Sequence, residues 1–114
     1  ATLGAELTAV APGQVEIAAP VTDAVTQQHG TAHAALAFAI GDSAAGYAAL
    51  TLLPETAEVV TAEMKINLLA PARGPRLVAR GRVIRAGRRL IVVQADVSDD
   101  GGAVALLQGT MVPV

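Results

Sequence analysis

The chain has 114 residues, a formal charge of −2 and no cysteine. That length fits a single domain spanning residues 1–114, and the missing cysteine excludes disulfide frameworks, thiol nucleophiles and cysteine-ligated zinc. Hydrophobic residues make up 53% of the chain but aromatics only 2% (Phe38 and Tyr47), and roughly a fifth is alanine, well above ordinary usage. So few stacking side chains, with a weakly acidic balance, argue against a nucleic-acid module. The N-terminus shows no basic region ahead of an apolar run, so no signal peptide is expected, and the cysteine-free chain fits a reducing, cytoplasmic setting.

In chain order, Leu3 to Val10 and Gln14 to Ala19 read as two strands joined by a turn at Pro12-Gly13. Val21 to Gly30 reads as a connection. From Thr31 to Leu50 there is no proline, and Leu36, Ile40, Ser43, Tyr47 and Leu50 recur at helical spacing, with Thr31 able to cap the start. Small or apolar residues lie on nearly every side of this helix, so it is expected to be buried rather than half exposed. Thr31 to Leu53 is long enough to span a bilayer, but it owes its apolarity to alanine and carries His33 and Asp42, so no membrane partner is expected.

Beyond Pro54 the period changes to two. Val60, Ala62, Met64, Ile66 and Leu68 are expected on one face of a strand, with Thr61, Glu63, Lys65 and Asn67 on the other. Arg76 to Arg85, Leu90 to Val97 and Ala103 to Val112 supply three more strands, with turns at Ala86-Gly87 and at Asp99-Asp100-Gly101-Gly102. Two strands, one long helix and four strands joined mainly by short turns define an α+β domain with a largely antiparallel sheet of five to six strands.

All seven arginines fall between Arg73 and Arg89. Such a run is usually a solvated strand face; the sharper reading is a site for a phosphorylated ligand, whose oxygens match guanidinium forks. Asp42 is the anomaly, a carboxylate mid-helix among Phe38, Ala39, Ile40, Ala44 and Ala45. Desolvating it without a partner costs several kcal/mol, on the order expected for a buried charge. It sits on the helix's wet edge, or is bonded to a neighbouring strand, or lies in a partly desolvated site that uses it chemically. His29 and His33 lie four apart, but no acid follows His29 as a helical zinc motif requires, and no metal is expected. His33 and Asp42 lie nine positions apart and should face opposite sides of the helix, so any shared chemistry needs a second copy of the chain. Ser43 and Ser98 lack a nucleophile elbow, and no glycine-rich phosphate loop is present.

Gln27-Gln28-His29-Gly30-Thr31-Ala32-His33-Ala34-Ala35 followed by Asp42-Ser43-Ala44-Ala45-Gly46-Tyr47 resembles the phenylacetate-degradation (PaaI-type) acyl-CoA thioesterases of the hotdog fold. The likeness continues through Val60 to Ala72 and Gly81 to Arg88 and ends at Gly109-Thr110. It implies one long central helix wrapped by the sheet, and sites shared between two protomers of a homodimer or dimer of dimers. The family's motif histidine falls on His33 and its catalytic carboxylate on Asp42. Its polar side chain six positions before that histidine falls on Gln27, and the Ser/Thr opening the next strand on Thr61. The Ala34 amide would bind the thioester oxygen, and Arg82, Arg85 and Arg88 would hold the CoA phosphates. CoA is then part of the substrate, and no cofactor is implied. The family's Gly-Gly is Ala34-Ala35 here, a departure that bears on turnover and acyl size rather than on fold. Two other classes stay open: an acyl-CoA hydratase or dehydratase, and a non-catalytic acyl-CoA binder.

Overall fold

A computed structural model describes residues 4–21, 30–72 and 75–114, with side chains in the helix from His33 onward. The strands are β1 (Glu6–Ala11), β2 (Gln14–Pro20), β3 (Val59–Leu68), β4 (Arg76–Ala86), β5 (Ile91–Asp99) and β6 (Gly102–Pro113), and helix α1 is Gly30–Leu50. They form one antiparallel six-stranded sheet in the order β1-β2-β4-β5-β6-β3. β3 and β4 are neighbours in sequence but lie apart in the sheet. The chain leaves β3 on one edge and re-enters beside β2.

Alternating side chains of β4 and β5 point at the helix. Leu77, Ala79, Ile91, Val93, Ala95 and Val97 are buried, and each of the larger ones stabilises the fold by about 1.5–3 kcal/mol relative to exposure. The other face is polar and internally bonded. Arg80 pairs with Glu16 at 3.1 Å, Arg82 with Asp96 at 2.9 Å, and Gln94 bonds Gln108 at 2.8 Å.

The helix presents one stripe to the sheet: Leu36, Ala37, Ile40, Ala44, Ala45, Ala48 and Ala49. The expectation of a helix buried all round is therefore corrected. Ser43 is exposed, and Phe38 and Tyr47 remain 37% and 49% exposed. A single sheet covers one side of a helix, and nothing else in the described chain covers the opposite one.

Contact with β4 is close because both surfaces are small. A Cβ built on Gly81 would lie 2.3 Å from the Ala44 carbonyl carbon and 2.5 Å from the Ala45 nitrogen. At the helix C-terminus, the Thr51 hydroxyl donates to the Ala48 carbonyl and accepts from the Gly13 amide, tying the β1–β2 turn to the helix end. Among the described residues, no helix is long and apolar enough to cross a membrane.

Because the obstacle at Gly81 is backbone and not a movable side chain, Gly81→Ala should lower the unfolding free energy by about 1–3 kcal/mol, as overpacking does. Thermal and urea unfolding followed by circular dichroism measure this; an unchanged midpoint would refute the close contact.

Candidate active site

Asp42 leaves α1 beside the start of β3. Its side chain is half-buried, and its Oδ1 accepts a hydrogen bond from the Thr61 hydroxyl at 2.9 Å. Thr61 Oγ1 also lies 3.3 Å from the sulfur of Met111, a buried residue of β6. Among the described residues Asp42 makes no ion pair. The site at this point is a carboxylate and a hydroxyl over a thioether.

The alternation expected along β3 fails at this position. Thr61 stands opposite Met111 and Glu63 opposite Thr110, so Ala62 is an extra residue in a β-bulge. Below the bulge Met64 and Ile66 face the core side. Above it the parity reverses, and Thr61 is carried to the helix side instead of lying with Glu63 and Lys65. Val60 and Leu68, expected on the covered face, are 50% and 61% exposed for related reasons. Val60 lies beyond the bulge, and Leu68 lies at the end of the sheet.

His33 and Ala34 lie toward the other end of β3. With Ala37, Leu68, Pro71 and Val104 they line an open groove of about 500 Å³. His33 and Asp42 are separated by about 13 Å along the helix axis, so they do not form a pair within one protomer. Helix N–H groups point toward the N-terminus, and this end offers amides to an anion. The amides of the first turn, Gly30 to Ala32, have no acceptor within the helix, and His33 and Ala34 follow directly. Gln27 and His29 lie outside the described residues.

The three arginines are not equivalent. Arg82 is on the outer sheet face, held by Asp96 and by Gln94 at 3.1 Å. Arg85 and Arg88 are exposed near the β4–β5 turn and have no ion pair among the described residues. That turn lies past Val83, whose amide bonds the Gly13 carbonyl near the C-terminal end of α1. Arg85 and Arg88 thus sit at the end of the helix remote from His33. Sequence reasoning missed Met111 beneath Thr61, because its contact follows from strand pairing and leaves no local signal.

One helix laid across an antiparallel sheet in this strand order, with a carboxylate on the helix and a hydroxyl on the edge strand, defines a hotdog-fold domain. Residues 29–106 match the thioesterase superfamily, and the chain belongs to that family. It is 35% identical to a candidate esterase of Deinococcus radiodurans over 112 residues, 96% of this chain and 74% of that protein. A second candidate esterase, from Saccharolobus solfataricus, is 31% identical over 79% of this chain and 64% of its own length. The chain thus spans between about two-thirds and three-quarters of these relatives. A thioesterase family protein from Silicibacter pomeroyi superposes with a TM-score of 0.90 at 39% identity, covering 99% of this chain and 86% of that one. A variant of the phenylacetic acid degradation protein PaaI from Thermus thermophilus gives 0.86 at 29%, covering 97% and 94%. Membership of the superfamily marks the domain as a thioester hydrolase.

Proposed function

We propose that the domain hydrolyses an acyl-CoA thioester to the free acid and CoA, with Asp42 as nucleophile or general base. The observation that carries this reading is the Asp42 carboxylate, the one acidic side chain of α1, bonded by Thr61 at 2.9 Å. As base, Asp42 takes a proton from water while the water oxygen attacks the thioester carbon. The oxyanion rests on the Ala34 amide near the helix N-terminus, as it leaves the Gly30 carbonyl. The C–S bond then breaks, and the proton on Asp42 passes to the departing thiolate. As nucleophile, the carboxylate would attack the thioester carbon and expel the CoA thiolate, forming a mixed anhydride that water cleaves to the free acid and the restored Asp42. Thr61 positions the carboxylate, and Gln27 would orient the carbonyl or water. No cofactor enters either route, and a CoA substrate fits a cytoplasmic setting.

Asp42 and the amides near Ala34 stand well apart in one protomer, so the reaction centre needs a second copy that brings one helix end to the other's carboxylate. A homodimer, itself able to pair into a dimer of dimers, supplies this. It also gives Arg85 and Arg88 access to the nucleotide end of a ligand whose thioester lies by the other protomer's helix N-terminus.

The open edge of β3 is suited to such pairing. The Leu69 amide bonds the Val104 carbonyl, so by antiparallel alternation Met64, Ile66 and Leu68 direct their backbone groups away from β6. Pairing two β3 strands about a two-fold at Met64 sets Glu63 opposite Lys65 twice. Centring the axis on either charged residue would oppose like charges, which is unfavourable.

Sedimentation should show a dimer or larger species at micromolar concentration, and Lys65→Glu should shift it toward monomer. A parent that sediments only as monomer would overturn the shared site. Asp42→Asn keeps the shape and removes the charge; melting should be little changed while CoA release falls by about 10² or more. Near-normal turnover would make the carboxylate structural. Ala34→Gly should speed hydrolysis or admit bulkier acyl groups, at a stability cost of roughly 0.5–1 kcal/mol. A parallel panel of acyl-CoA substrates tests this, and unchanged profiles would show that the Ala34 methyl does not crowd the thioester. A parent without activity that gains it on this substitution would favour an acyl-CoA binder.

A further inference from the structure

The bulge at Ala62 needs room in the strand beside it. Gly109 of β6 is the partner of Met64, and it is buried. A Cβ built there would lie 2.3 Å from the Glu63 carbonyl oxygen, 2.8 Å from the Met64 sulfur and 3.0 Å from the Met64 Cα. The first and last of these are backbone atoms, which cannot swing aside as a side chain end can. They belong to the two residues immediately following the bulge.

Three facts meet here. Ala62 is the extra residue, Thr61 on its far side reaches Asp42, and the backbone on its near side occupies the space of a missing methyl group at 109. With Ala62 present and the strand paired regularly, Thr61 would fall on the same face as Glu63 and Lys65, away from the helix. The bulge puts it on the helix side, and close approach of β3 to β6 at Gly109 lets the bulge form.

We propose that Gly109 is a positioning residue for the Asp42–Thr61 pair. It touches neither side chain. It accommodates the Glu63 carbonyl, so that the extra residue in β3 can rotate Thr61 onto the carboxylate. The inference rests on reading Asp42 and Thr61 as the reacting site, and its geometric half stands without that reading.

The geometry supplies its own rescue experiment. Deleting Ala62 joins Thr61 directly to Glu63, which leaves Thr61 opposite Met111 and Glu63 opposite Thr110 in a regular strand. Thr61 then faces the helix with no bulge to accommodate. Four proteins are needed: the parent, Gly109→Ala, the Ala62 deletion, and the two changes together. Each is characterised by melting temperature, by crystal structure, and by kcat and KM for CoA release from acetyl-, hexanoyl- and benzoyl-CoA.

Gly109→Ala alone should lower the melting temperature and carry Thr61 Oγ1 out of hydrogen-bond reach of Asp42. It should reduce kcat by roughly tenfold or more, as loss of a positioned hydrogen bond at a reacting group does, with KM changed less than about twofold. In the chain lacking Ala62, the same substitution should change kcat by less than about twofold and leave the Thr61–Asp42 bond in place. If Gly109→Ala does not fold but folds once Ala62 is removed, the coupling is equally demonstrated. Equal losses with and without Ala62, failure to fold in both, or a Gly109→Ala structure retaining the Thr61–Asp42 bond would each overturn the proposal. A parent inactive on all three thioesters would count against the hydrolase reading alone, since the melting temperatures and structures still decide the role of Gly109.

Discussion

The contact of α1 with β4 at Gly81 sets the depth of the helix, and the remaining geometry follows from it. Main chain meets main chain there, with the Ala44–Ala45 peptide lying where a β-carbon of residue 81 would be. A second close approach, between Gly41 and Leu107, constrains the helix over β6, where a Cβ at 41 would come within 2.8 Å of the leucine side chain. Asp42 follows Gly41 directly. Two close contacts three residues apart fix both the height and the rotation of the helix, so the direction in which the carboxylate leaves is determined by packing on either side of it. A bulkier residue at 41 or 81 would lift the helix and move Asp42 relative to β3.

This explains the alanine excess. The four alanines Ala44, Ala45, Ala48 and Ala49 are fully buried and contribute little apolar area each, but they permit an approach that leucines would prevent. The arrangement also reconciles a carboxylate with an apolar helix. Full burial of an unpaired Asp would cost several kcal/mol, on the order of other unpaired buried charges. Asp42 instead leaves the helix at the margin of the packed stripe, half-buried, where a hydroxyl from the edge strand satisfies one oxygen. The residue is thus on an accessible edge and bonded to a neighbouring strand, both placements that need no full burial of the charge.

Much of the fold was legible because local signals and global structure agree. Pro12-Gly13 and the Asp99–Gly102 segment mark turns that the structure contains, and the change from a helical to an alternating period falls between α1 and β3. The helix start differs by one residue, and the strand ends by a few at most. Strand order was not legible, because β3 pairs with β6 and β2 with β4 across long stretches of chain, and no local pattern records a distant partner. Helix burial was misread for a different reason: apolarity on every side describes what a helix tolerates, whereas burial depends on how many surfaces are available to cover it. The Phe38 and Tyr47 side therefore stays open in the single chain. The site was half legible. Asp42 was visible as a charge in the wrong company, but the facing of Thr61 was read inversely because a single inserted residue reverses the parity of a strand. Glu63, Lys65 and Asn67 gave no warning, since they lie on the regular side of the bulge.

The hydroxyl at this bulge can donate and accept at one and the same atom, which a second carboxylate, when ionised, could not. A threonine hydroxyl carries one hydrogen and two lone pairs, so it can donate once and still accept. With Asp42 ionised it donates to Oδ1, and the nearby Met111 sulfur is only a weak competitor for that hydrogen. When the carboxylate takes up a proton in the proposed reaction, the same hydroxyl can accept from Asp42 while its own hydrogen turns toward the sulfur. The pair then keeps a hydrogen bond in both protonation states without moving the helix or the strand. A charged partner such as lysine would favour the ionised state alone and oppose proton uptake. An aliphatic residue would leave one side of a half-buried carboxylate without a donor. Thr61 avoids both costs, but only if the strand delivers it to the helix side, so the setting of the carboxylate depends on the backbone of β3 as much as on the helix that bears it.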